Sequence, residues 1–147
     1  MLSTRREFVT DSGEATVALG RQLAGEIGSP RLPLVIVLVG KLGSGKTTLA
    51  KGLISGLGVA TEEEVTSPSF TLIHEYGQNP KVFHVDLYRV DTTRQVETLG
   101  LEDLWERPAV VLIEWGEKFP GLFPGPRWEV HLDDLGGERR RITVEDY

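Results

Sequence analysis

The sequence predicts an α/β fold: a mostly parallel sheet with helices on its faces and antiparallel hairpin additions. Three observations carry that expectation. Residues 34–39, LVIVLV, are apolar without alternation, as expected of a strand buried on both faces. A glycine-rich segment follows and opens into a stretch with helical spacing, the strand–loop–helix order of a parallel unit. Further along, short apolar runs are separated by Gly, Asn and Pro, the punctuation of hairpins.

In chain order, residues 5–9 (RREFV) read as a short strand. Asp11 followed by Glu14 resembles a capping box, and Ala15, Leu19, Leu23 and Ile27 then recur at spacing four to give one apolar helical face. Gly28, Ser29 and Pro30 are expected to end that helix. Beyond the glycine loop, Leu49, Leu53, Ile54 and Leu57 form a second stripe closed by Gly58. The acidic run at 62–64 reads as solvated surface. Residues 70–76 and 82–86 are expected to be strands joined across 77–80, and residues 93–106 a helix broken at Gly100. Residues 110–114 (VVLIE) form another buried strand, residues 116–126 a loop, and residues 128–132 and 140–144 a hairpin turning at 135–137. No repeat, linker or low-complexity tract interrupts this, so one domain over 1–147 is expected, a length that buries roughly 70% of the unfolded surface.

Composition narrows the function classes. No apolar stretch approaches the ~20 residues needed to cross a bilayer, and no apolar core follows the two N-terminal arginines as in a signal peptide. The chain has no cysteine, which excludes a disulfide framework and thiolate metal sites, so a cytoplasmic location is expected. Its 16 basic against 22 acidic residues give a net charge of −6. A domain gripping nucleic acid by itself would normally carry a basic surplus, so RNA is expected to be met through a partner.

The strongest motif is Gly40-Lys41-Leu42-Gly43-Ser44-Gly45-Lys46-Thr47, which fits G-x-x-x-x-G-K-[ST] at every fixed position. Glycines let the backbone curl until successive amides converge on phosphate oxygens, and the following helix adds its positive end. Leu42, Gly43, Ser44, Gly45, Lys46, Thr47 and Thr48 are therefore assigned to nucleotide binding, in a P-loop NTPase-like domain. Lys46 is placed to reach the terminal phosphates, and the Thr47 hydroxyl to ligate Mg²⁺. Such a metal also needs a carboxylate. Asp86 and Glu114 both end apolar runs; Glu114 is assigned to Mg²⁺ and Asp86 to the attacking water or a neighbouring loop, with the reverse assignment open. Lys46, Asp86 and Glu114 are thus the catalytic candidates. No guanine-reading N/T-K-x-D motif occurs, which points to ATP. Two other classes fit the same loop, a small-molecule phosphotransferase and a non-hydrolysing nucleotide switch; no arginine-bearing lid of a small kinase is identifiable.

Other residues read as structural: His74, His84 and His131 lack metal-binding spacing, and Trp105 and Trp128 read as packing. Arg139, Arg140 and Arg141 read as a solvated or partner-facing strand.

With the glycine loop, three further stretches in this order, residues 66–72 (TSPSFTL), 84–89 (HVDLYR) and 113–117 (IEWGE), resemble the bacterial TsaE (YjeE) family, small P-loop ATPases of tRNA N6-threonylcarbamoyladenosine synthesis. The resemblance runs from about Ser12 to Val144. It implies hydrolysis of ATP with Mg²⁺ in complex with TsaB and TsaD, with tRNA met only through that complex and no membrane involved. It also implies a magnesium carboxylate at Glu114, a functional aspartate at Asp86, and a switch-like loop over Thr66, Ser67, Ser69 and Thr71. Trp115 matches a tryptophan tied to activity or partner contact, and the helix start around Asp11 and Ser12 would lie near the adenine. Lys41, Ser69 and Gly116 depart from the family's usual Asp, Thr and frequent Pro.

Overall fold

The computed structural model describes residues 4–27, 32–68, 71–123 and 127–146. Seven strands form one sheet in the order β1-β7-β6-β2-β5-β4-β3. The strands are β1 (Thr4–Thr10), β2 (Leu34–Val39), β3 (Ile73–Tyr76), β4 (Lys81–Asp86), β5 (Ala109–Glu114), β6 (Trp128–Gly136) and β7 (Arg139–Asp146). Helices are α1 (Gly13–Ala24), α2 (Lys46–Gly56), α3 (Thr93–Thr98) and α4 (Leu101–Leu104). The four central strands β6, β2, β5 and β4 run parallel, while β3, β7 and β1 pair antiparallel at the flanks. Parallel pairing is thus confined to the centre.

Alternation along the central strands divides the core into two layers. In β2, Ile36 and Leu38 join Leu19 and Leu23 of α1 and Leu49, Leu53 and Ile54 of α2. Val35 and Val37 face the other way, with Phe83, Val85, Leu101 and Ile113. Both faces of β2 are covered, which is why its sequence shows no polar alternation.

Four expectations need correcting or bounding. The cap of α1 is Ser12, whose side chain accepts from the Ala15 amide at 3.0 Å; Asp11 lies one residue outside the helix. The β6–β7 turn falls at Gly137 and Glu138, because Gly136 still pairs with Arg139 after a bulge between Asp134 and Gly136. The strand expected over 70–76 begins at Ile73, and Phe70 lies outside the described residues, as do Gly28, Ser29 and Pro30. The acidic run is a 3-10 turn over Glu62–Glu64, with Glu62 paired to Arg21 of α1. The break at Gly100 and the closure of α2 by Gly58 are as expected: both adopt positive φ, which glycine tolerates without a Cβ penalty.

Helices α1 and α2 cross at two glycines. A Cβ on Gly20 would lie 2.6 Å from the Leu49 carbonyl oxygen, and one on Gly52 would fall on the Val17 carbonyl oxygen. This close approach holds α1 against the helix that the glycine loop opens. Gly52→Ala should therefore destabilise the protein by about 1–3 kcal/mol through overpacking, read as a lowered urea midpoint with unchanged m-value.

Candidate functional site

The carboxyl ends of parallel strands are where open α/β sheets place ligand sites, and here β2, β5 and β4 deliver Gly40, Glu114 and Asp86 to one edge. The chain leaving β2 turns through Gly43 and Gly45 at φ +80° and +102°, a region closed to most side chains. Gly45 caps α2 without a side chain. The first-turn amides of α2 therefore meet no side-chain cap at Gly45, and a helix N-terminus with open amides is an anion site.

Lys46 opens that helix, and its side chain is buried beside the cleft. Its Nζ donates to the Gly40 carbonyl at 2.5 Å and sits 3.4 Å from the centroid of the Trp115 ring. Burial pushes its pKa below the usual lysine value, while the carboxylates of Glu117, Glu114 and Asp86 pull the other way. Trp115 itself holds φ +64°, uncommon for a bulky residue, and its ring also meets Tyr88 at 5.0 Å.

Strand parity brings the acids together. His84 and Asp86 share the face of Val82, and Glu114 shares that of Leu112, the face covered by α2. The Thr47 hydroxyl lies 3.3 Å from both oxygens of Glu114. Fully buried His84 places Nε2 2.6 Å from Glu114 Oε2. His84 Nδ1 has no hydrogen-bond partner among the described residues. Asp86 is committed on both oxygens: Oδ2 accepts from the Ser67 hydroxyl at 3.0 Å and Oδ1 from the Tyr88 amide at 2.9 Å. In this arrangement Asp86 ties the 66–68 segment to the turn after β4. Lys118 fastens that turn from below, donating to the carbonyls of Leu87, Tyr88 and Val90.

A cleft of about 400 Å³ collects most of the sequence-derived candidates: Leu42, Gly43, Gly45, Lys46, Thr47, Thr48, Ser67, Asp86, Glu114 and Trp115. Ser44 faces the opposite side of the loop. Thr66 and Thr71 are exposed and do not line the cleft, and Ser69 lies outside the described residues. Asp11 is exposed beside Arg139 at 3.7 Å, and Ser12 caps α1; the helix start opens onto a second hollow that shares Thr48 with the cleft. Of the three departures, Gly116 has a local cause: a Cβ there would sit 2.5 Å from Phe123.

Four contributors escaped the sequence reading. Tyr88 and Arg89 line the cleft from within the quoted 84–89 stretch without having been assigned a role. His84 was read as merely structural, although its parity with Asp86 was available. Arg140 was read as solvated or partner-facing, yet it shares the inward face of Ile142 and Val144 and reaches the glycine loop.

Comparison with known proteins places these features in context. The family model described as "Threonylcarbamoyl adenosine biosynthesis protein TsaE" matches residues 10–142. A Haemophilus influenzae protein named tRNA threonylcarbamoyladenosine biosynthesis protein TsaE is 38% identical over 101 residues, covering 68% of this chain and 63% of that protein. A Treponema pallidum protein of the same name is 37% identical over 110 residues, covering 75% of this chain and 80% of its own length. The crystal structure of Bacillus subtilis YdiB superposes with a TM-score of 0.76 at 28% identity, covering 99% of this chain and 88% of that one.

The His84–Glu114 contact yields a stability prediction. His84→Ala leaves a buried carboxylate without its donor and opens a cavity, so it should lower unfolding free energy by about 2–5 kcal/mol in urea. A loss below 0.5 kcal/mol would mean that Glu114 does not depend on the ring.

Proposed function

This chain belongs to the TsaE family of threonylcarbamoyl adenosine biosynthesis proteins, and we propose that it is a Mg²⁺-dependent ATPase acting with TsaB and TsaD in tRNA threonylcarbamoyladenosine synthesis. The observation that carries the reading is the convergence, on one cleft, of the side-chain-free head of α2, the buried ammonium of Lys46 and the Thr47–Glu114 pair.

In this reading the turn through Gly43 and Gly45 and the first amides of α2 take the phosphate chain. Lys46 leaves the Gly40 carbonyl for the terminal phosphate oxygens, where its charge opposes the charge that builds during transfer. The donor set suits Mg²⁺: one hydroxyl and one carboxylate, both hard oxygens, at the edge of a phosphate cradle. Thr47 and Glu114 would hold the ion, which when bound supplies further charge neutralisation. His84 keeps Glu114 oriented. Asp86, through Ser67 and the Tyr88 amide, couples the 66–68 segment to the cleft and stands near enough to orient a water.

Partner dependence and location complete the proposal. Trp115 packs over Lys46, so the ammonium leaves the ring to reach a phosphate, and partner docking beside the cleft would favour that move. The acidic balance of the chain supports a protein partner, with tRNA met through TsaB–TsaD. No described helix is long and apolar enough to cross a membrane, and the lack of cysteine in the chain supports the reading of a cytoplasmic protein.

Two measurements test this. Phosphate release from ATP should rise when TsaB–TsaD is added, and Lys46→Ala should lower the stimulated rate by about a hundredfold or more. A flat rate with the complex formed would move the protein to a non-hydrolysing switch, and transfer of phosphate to a metabolite would make it a kinase. Separately, ATP should change tryptophan emission as Lys46 leaves the Trp115 ring, and Trp115→Phe should remove that change while Trp105 and Trp128 remain.

A further inference from the structure

The β6–β7 hairpin reaches the glycine loop through a single side chain. Arg140 Nε donates to the Ser44 carbonyl at 2.9 Å, and its Nη2 to the Gly43 carbonyl at 3.2 Å. Its Nη1 donates to Asp134 Oδ1 at 3.1 Å and lies 2.8 Å from the carbonyls of Gly137 and Arg139. The Arg140 side chain is only 15% exposed, and it lines the cleft. Two carbonyls of the loop thus point outward onto a fixed cation. The amides that follow those carbonyls share their peptide planes and so point the opposite way: that of Ser44 donates to the Lys41 carbonyl at 3.0 Å and closes the loop's turn, and that of Gly45 follows it.

What fixes Arg140 is the irregularity in its own hairpin. The bulge between Asp134 and Gly136 lets one carboxylate oxygen of Asp134 accept from the Gly136 amide at 2.8 Å and from Arg140. Bulges commonly re-aim a side chain beside a site. Here Asp134 closes the bulge and orients the arginine with the same atom. Arginine suits the task because its planar fork serves several acceptors at once, which a lysine ammonium on a flexible stem does not.

We propose that Arg140 is a positioning residue that holds the glycine loop in its anion-binding form before nucleotide arrives, with Asp134 as its anchor. The inference rests on the nucleotide-binding reading of the cleft. It differs from that reading in locating part of the site's preorganisation on the last hairpin, outside the glycine-loop motif.

The test uses the full chain and its Arg140→Ala, Arg140→Lys and Asp134→Asn variants. Affinities for ADP and for a non-hydrolysable ATP analogue are measured by calorimetry, and backbone amide relaxation at Gly43–Gly45 is measured without nucleotide. Arg140→Ala should weaken both nucleotides by a similar factor of about ten or more and raise the mobility of Gly43 and Gly45 in the free protein. Arg140→Lys and Asp134→Asn should fall between it and the parent, which keeps the test alive if the alanine variant unfolds. A merely structural arginine would lower the thermal midpoint yet leave affinity and loop mobility of the folded protein unchanged, and that result overturns the proposal. A loss confined to the ATP analogue also overturns it, since Arg140 would then be acting on the terminal phosphate directly. If the parent chain binds neither nucleotide, the functional reading fails first; an unchanged loop in the relaxation data would refute the positioning role independently.

Discussion

One buried cation organises the carboxyl edge of this sheet. Lys46 has almost no solvent, so its charge must be met by protein: the Gly40 carbonyl, the face of Trp115, and the field of Glu117, Glu114 and Asp86. Those partners come from the ends of three parallel strands and the chain just beyond one of them. Gly40 closes β2, Glu114 closes β5, Asp86 closes β4, and Trp115 and Glu117 belong to the chain just beyond β5. An unpaired ammonium in such a place would be costly, so the three parallel strands and the turn after β5 must stay in register for Lys46 to remain charged. The same requirement makes Lys46 available to an anion, because a phosphate offers better acceptors than one carbonyl and a ring face.

Backbone strain gathers at the same edge. The two described non-glycine residues at positive φ are Leu72 and Trp115. Trp115 leads out of β5 and swings its ring over Lys46. Leu72 donates its amide to the Pro68 carbonyl, and its own carbonyl accepts from the Asp86 amide. Such conformations cost about 1–3 kcal/mol each and persist only where the surroundings over-determine them. Here the surroundings are the two core layers beneath: β4 and β5 are almost wholly buried, and they hold the strained residues at their ends.

The glycine loop is braced from two further sides. The Gly20–Gly52 crossing presses α1 against α2 and sets where the start of α1 stands relative to Thr48. Across the loop, the β6–β7 hairpin brings Arg140 to the Gly43 and Ser44 carbonyls. A flexible, glycine-rich segment is thereby given a defined shape by neighbours that are themselves rigid, the condition under which a loop can preorganise for an anion at small further entropic cost.

By itself the sequence determined what depends on local chemistry. The apolar run of residues 34–39 demanded a strand buried on both faces, because no polar alternation was available to face water. Gly43, Gly45, Lys46 and Thr47 declared a tight loop opening into a helix, because glycine adopts such dihedrals at least cost and the helix start follows directly. The strand-end positions of Asp86 and Glu114 were legible for the same reason, and the quoted stretches carried the family. What only the tertiary structure decided is which distant groups share a space. Pairing β4 with β5 in register made His84 the partner of Glu114; the bulge in β6 turned Asp134 and Arg140 toward the glycine loop; and the hairpin turn moved to Gly137 and Glu138 because the pairing continued through Gly136. Those contacts join residues 30 or 97 positions apart. Local propensity does not encode such separations, since they follow from how parallel strands are ordered and registered around a core that buries both faces of the sheet.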